Sequence, residues 1–169
     1  NYLVQFNEMI QKQTNHLMNE INYSKKVDDK IIACAAIILV GLCYNDKKNY
    51  LSYGLNLLKK ISNSEFDNYG FTKSRNIKQL IFYLKYYILI REWFKEAQSE
   101  VPENVNETIY YLGQGYAFFW KNINSDILMN GNNISNNIEF DQYLKRFSYK
   151  FKNENKEFGG YTILKDKKI

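Results

Sequence analysis

Arginine is scarce in this sequence. It occurs only at Arg75, Arg91 and Arg146, so the net charge of +5 comes almost wholly from lysine. Nucleic-acid readers depend on the planar, bidentate guanidinium to grip guanine and phosphate. The lysines are dispersed as short pairs such as Lys25/Lys26, Lys47/Lys48 and Lys59/Lys60, the pattern of a solvated surface. Nucleic acid is therefore not the expected partner.

Histidine and cysteine are scarcer still. One histidine, His16, and two cysteines, Cys34 and Cys43, do not supply a zinc site with ordinary ligand spacing. The cysteines lie nine residues apart in one apolar stretch. On a helix their Cα atoms would be ~13 Å apart, too far for a disulfide, so buried free thiols are expected. That stretch, IIACAAIILVGLCY from Ile31 to Tyr44, is the longest apolar run at 14 residues. A bilayer needs ~20, so the run reads as a core helix and no transmembrane segment is expected. No GxxxxGK[ST] loop is present, Gly113-Gln-Gly115 falls in a helical context, and no serine sits in a nucleophile elbow.

Apolar and aromatic residues are abundant. They make up 45% and 17% of the chain, with 15 tyrosines. This is more than a disordered chain carries, and 169 residues suffice for one domain with a sizeable core. A tyrosine can bury its ring while its hydroxyl meets water or a sugar. The chain opens at Asn1 without methionine and ends on DKKI, which suggests a piece of a longer protein.

Apolar residues recur at helical spacing over most of the length. Leu3, Phe6, Met9/Ile10 and Leu17 mark a helix over 3–21. Asp28/Asp29 can cap a second, through Ile31, Ile32, Ala35, Ile38, Leu39 and Leu42. A third spans 47–61, and the Asn-, Ser- and Gly-dense segment 62–75 reads as a loop. A long helix follows over 77–99, ended ahead of Pro102. Another starts at Asn106-Glu107-Thr108 and reaches Trp120; its aromatics Tyr116, Phe118, Phe119 and Trp120 are core first and a sugar-stacking face second. Segment 122–137 reads as loop and Phe140–Arg146 as a short helix. Tyr161–Leu164, after Gly159-Gly160, reads as the entry to a β-strand. The expected fold class is all-α, five or six helices paired in antiparallel hairpins.

Three stretches carry a resemblance. The first is Gln13-Thr14-Asn15-His16-Leu17, followed by the apolar helix ending Gly41-Leu42-Cys43. The second runs from Tyr69-Gly70-Phe71 through Ser74-Arg75-Asn76-Ile77-Lys78-Gln79, a loop opening a long helix. The third is Leu128-Met129-Asn130-Gly131, with Phe158-Gly159-Gly160-Tyr161 after it. In this order and spacing they resemble the heparinase II/III-like polysaccharide lyases, in particular their alphaproteobacterial branch, over nearly the whole chain.

The resemblance implies an incomplete α/α toroid over 1–152, with 153–169 as linker and first strand of a β-sandwich domain. It implies β-elimination at a uronic acid unit of an acidic polysaccharide, in the periplasm or cell envelope. The C5 proton becomes acidic once the neighbouring carboxylate is neutralised, by the same logic as an oxyanion hole. A Tyr or His then acts as base, a Tyr protonates the leaving oxygen, and no metal or organic cofactor is required. Asn15 and His16 match the carboxylate-neutralising pair, and so are the implied catalytic residues. Arg75, Asn76, Gln79, Asn130 and Tyr69 are the implied substrate-binding residues. The chain departs from the pattern at Gln79, where the lyases carry their catalytic Tyr, and at Ile77, where they carry Pro. Gln is neither a base nor an acid at ordinary pH. Either Tyr69 or Tyr83 serves instead, or another domain supplies the group, or the protein binds glycan without cleaving it. The isolated chain is expected to be inactive in each case.

Overall fold

A computed structural model describes residues 2–44, 49–122, 127–129, 132–134 and 138–163. These are mostly helical. The α-helices are α1 (Tyr2–Glu20), α2 (Val27–Cys43), α3 (Tyr50–Glu65), α4 (Ile77–Glu96), α5 (Glu103–Asn122) and α6 (Ile138–Arg146). A short 3₁₀ turn (Ile21–Tyr23) and two antiparallel ribbons complete the list, β1 (Ile127–Met129) with β2 (Asn132–Ile134), and β3 (Glu157–Phe158) with β4 (Tyr161–Thr162). Among the described residues no helix is long and apolar enough to cross a membrane. The chain divides into two compact units, one of 1–64 with 88–102, the other of 65–87 with 103–169.

The first unit is centred on α2. Ile31, Ala33, Cys34, Ala35, Ile37 and Ile38 are all buried, as befits a helix apolar on every side. Asp28 and Asp29 do not cap it. Lys26 holds the cap position without a side-chain bond, and the two carboxylates stand in the first turn, at the positive end of the helix dipole. Two glycines let α3 come close: a Cβ on Gly41 would lie 2.5 Å from the Leu51 backbone nitrogen, and one on Gly54 2.7 Å from Ile38 Cγ1. Burial pushes the Cys34 thiol up to about 12, so it stays protonated and inert. Cys43, expected to be buried as well, is exposed because it ends α2. Helix α1 differs most from its sequence pattern. Leu3, Phe6 and Met9 are exposed, and Thr14 is its one buried residue.

The second unit has an aromatic core. Phe71, Tyr83, Tyr87 and Phe118 are fully enclosed, and Phe71 meets Phe119 at 5.6 Å between ring centres. Tyr116 and Phe119 are buried too, so these three rings of the aromatic run are core. Helix α3 continues to Glu65, so the connection to α4 starts at Phe66 rather than Ser62. Helix α5 begins at Glu103, directly behind Pro102, whose fixed φ suits a helix start. Gly113 and Gly115 leave room on α5 for Phe151 and Phe158.

The β-structure was the least legible part. Segment 122–137, expected as loop, contains the β1–β2 pair in the register Met129↔Asn132. Near the C-terminus, the single expected strand is a hairpin. Gly159 and Gly160 both have left-handed backbone (φ 57 and 79), which a tight two-residue turn requires. Its Phe158 and Tyr161 pack against Phe118 and Phe119 of α5.

Candidate functional site

Asn15 and His16 lie side by side on α1 and both are exposed. Neighbouring helix positions point about 100° apart, so the two side chains diverge at their roots. Thr14, just before them, is buried and donates its hydroxyl to the Ile10 carbonyl (2.8 Å). The Tyr50 hydroxyl donates to Asn15 Oδ1 at 3.0 Å. That bond takes the amide oxygen and fixes the side chain, leaving the two Nδ2 donors as the groups that suit a carboxylate.

The 66–76 loop is organised by its own polar side chains. Asp67 Oδ1 accepts the Tyr69 and Phe71 amides, each at 2.9 Å, closing an Asx turn that Gly70 completes with φ 71. The Asp67 amide bonds the Phe71 carbonyl at 2.8 Å, and Phe66 bridges Thr72. Asn76 Oδ1 accepts the Lys78 amide at 3.0 Å and so caps α4. The Ser74 hydroxyl donates to Gln79 Oε1 at 2.5 Å.

Arg75 holds this loop and the β3–β4 hairpin together. Its φ of 56 is left-handed, a conformation costing an L-residue about 1–2 kcal/mol. The turn brings the guanidinium between Asp67 Oδ2, at 2.9 Å, and the Gly159 carbonyl, to which Nη1 donates at 2.6 Å. The contact to Asp67 is an ion pair out of line for a hydrogen bond. The guanidinium also lies over the Phe71 and Tyr161 rings, 5.3 and 5.7 Å from their centres. Both Nη groups of the guanidinium are thus engaged within the fold, while its side chain stays 36% exposed. Tyr83 is fully buried, whereas Tyr69 is 62% exposed.

Tyr69 also walls a cleft of about 550 Å³ whose remaining lining is Asn155 and residues 157–162. Sequence reading did not single out Asn155, Glu157 or Thr162. The signal present was indirect: the GG pair of a hairpin and the two glycines of α5 on which that hairpin rests. Tyr69, Arg75, Asn76 and Gln79 thus share one loop and the start of α4, and of these Tyr69 lines the cleft. Asn15 and His16 form a separate pair on α1, and Asn130 lies outside the described residues. Among the described residues no group of His, Cys, Asp and Glu is arranged to hold a metal ion.

No protein-family model matches the chain, and neither a curated protein nor a solved structure is significantly similar to it.

Proposed function

We propose that this chain is helical toroid from a heparinase II/III-like protein that holds an acidic polysaccharide in the periplasm or cell envelope without cleaving it. The observation that carries the non-catalytic part is Gln79. By the resemblance it takes the place of the lyases' catalytic Tyr, and its carbonyl oxygen accepts the Ser74 hydroxyl at 2.5 Å. Of the two tyrosines that could replace it, Tyr83 is buried, which leaves Tyr69, 62% exposed. The hairpin arrangement of a toroid is supported by pairings along α2 and α3. Gly41 meets Leu51 while Gly54 meets Ile38, so residue numbers rise in one helix as they fall in the other.

A second reading, elimination at a uronate, is favoured by one observation. Asn15 is held by Tyr50 with its amide donors spare, beside an exposed His16. The complete gene product, incubated with heparan-, alginate- and galacturonate-type polymers, separates the two. The proposal expects binding without growth of the ultraviolet absorbance of an unsaturated uronate. Absorbance that grows with time and is lost in His16→Ala overturns it in favour of the lyase.

A further inference from the structure

The cleft beside Tyr69 does not have the chemistry of a uronate site. Among its lining residues the charged one is Glu157, a carboxylate that repels an acidic sugar. Of the nearby cations, Arg75 is engaged by Asp67 and the Gly159 carbonyl, and Lys156, exposed between Asn155 and Glu157, is not among the lining residues. The cleft is lined by the exposed Tyr69, by the uncharged polar residues Asn155 and Thr162, and by Gly160, where a Cβ would meet nothing within 4 Å. A ring face set beside uncharged donors and acceptors suits a pyranose with only hydroxyl substituents. The volume of about 550 Å³ falls within the ~300–1,000 Å³ of small-ligand clefts.

A second feature extends the surface. Gly70, next to Tyr69, packs so closely on Tyr111 that no Cβ fits there. Tyr111 in turn meets Tyr110 edge-on at 5.3 Å, and both are exposed. Three exposed tyrosines therefore follow one another from the cleft onto α5.

We propose that the cleft walled by Tyr69 and the β3–β4 hairpin is a subsite for a neutral pyranose. Tyr69 stacks on the sugar ring, and Asn155, Glu157 and Thr162 bond its hydroxyls. The inference rests on the reading that this protein binds glycan, and adds that the glycan carries uncharged units alongside acidic ones. A protein with only acid-gripping residues would treat a neutral stretch as a spacer. This one engages it.

The test titrates the 169-residue chain with cellotriose, maltotriose and trigalacturonate, followed by amide NMR shifts. At least one neutral trisaccharide should bind and shift residues 155–162. Tyr69→Ala should weaken that binding about tenfold, since an aromatic stack contributes on the order of 1 kcal/mol. Tyr69 is exposed, so the variant should keep its fold, checked by circular dichroism. Glu157→Gln removes the carboxylate that repels an acidic sugar, and so should raise trigalacturonate affinity at this cleft. Binding of trigalacturonate with no binding of either neutral sugar overturns the subsite but leaves the acidic-glycan reading standing. Neutral binding unaffected by Tyr69→Ala also overturns the subsite. If none of the three binds, the glycan reading itself fails, and the subsite with it.

Discussion

The α1 surface and the 66–76 loop carry the candidate residues in opposite ways. On α1 the backbone satisfies itself through the helical ladder, so Asn15 and His16 owe it nothing. Asn15 makes one tertiary bond, to Tyr50, and both residues face solvent. The loop has no such ladder, and buried backbone groups must find partners among side chains. Asp67 and Asn76 are used for that purpose, Ser74 is tied to Gln79, and Arg75 joins Asp67 to the hairpin. A motif residue on a helix surface is therefore spare for a ligand. In a tight loop the same chemistry is spent on the fold.

Substitutions at four positions would break or sharpen this contrast. The largest effect should come from Phe71→Ala, at the loop's buried anchor against Phe119 and Tyr161. A loss of about 3–5 kcal/mol is expected by urea denaturation, and a loss below about 1 kcal/mol would mean the loop is not seated on the core. Arg75→Ala comes next. It removes the Gly159 hydrogen bond and strands Asp67, whose side chain is 17% exposed, for a loss of about 2–3 kcal/mol. Arg75→Gly should be less damaging by about 1 kcal/mol, because glycine adopts φ 56 freely. Equal stability of the two variants would remove the case for strain at this turn.

Smaller effects belong to α1. Asn15→Ala should cost about 1 kcal/mol, the net worth of the Tyr50 bond in a partly buried place. His16→Ala should change stability by less than about 0.5 kcal/mol, as an exposed helix position does. It should nevertheless weaken trigalacturonate binding about tenfold, the scale of one hydrogen bond to a charged group. Unchanged binding would remove His16 from the proposed site. A stability loss as large as that of Arg75→Ala would show that the two regions are not built differently after all.

Much of the helical architecture was legible in the chain. The boundaries of α1, α2, α4 and α6 fall within a few residues of those read from apolar periodicity and from Pro102. Less of the candidate site was legible. Tyr69, Arg75, Asn76 and Gln79 were visible as one motif, but the Asn155, Glu157 and Thr162 wall was not. Those residues matter only because the β3–β4 hairpin folds back beside Tyr69. That placement depends on Phe158 and Tyr161 finding Gly115, Phe71 and Phe119.

Sequence by itself determined the helices, the lack in these 169 residues of an apolar run long enough to cross a membrane, and the absence from them of nucleotide and nucleophile motifs. Helix formation is decided by residues three and four apart, so a local pattern suffices for it. Only the tertiary structure decided that Leu3, Phe6 and Met9 stay exposed, that Cys43 reaches solvent, and that Arg75 serves the fold. Arg75 and the Gly159 carbonyl are 84 residues apart along the chain. Whether a charged side chain is spare depends on what folding brings opposite it, and no pattern of near neighbours contains that.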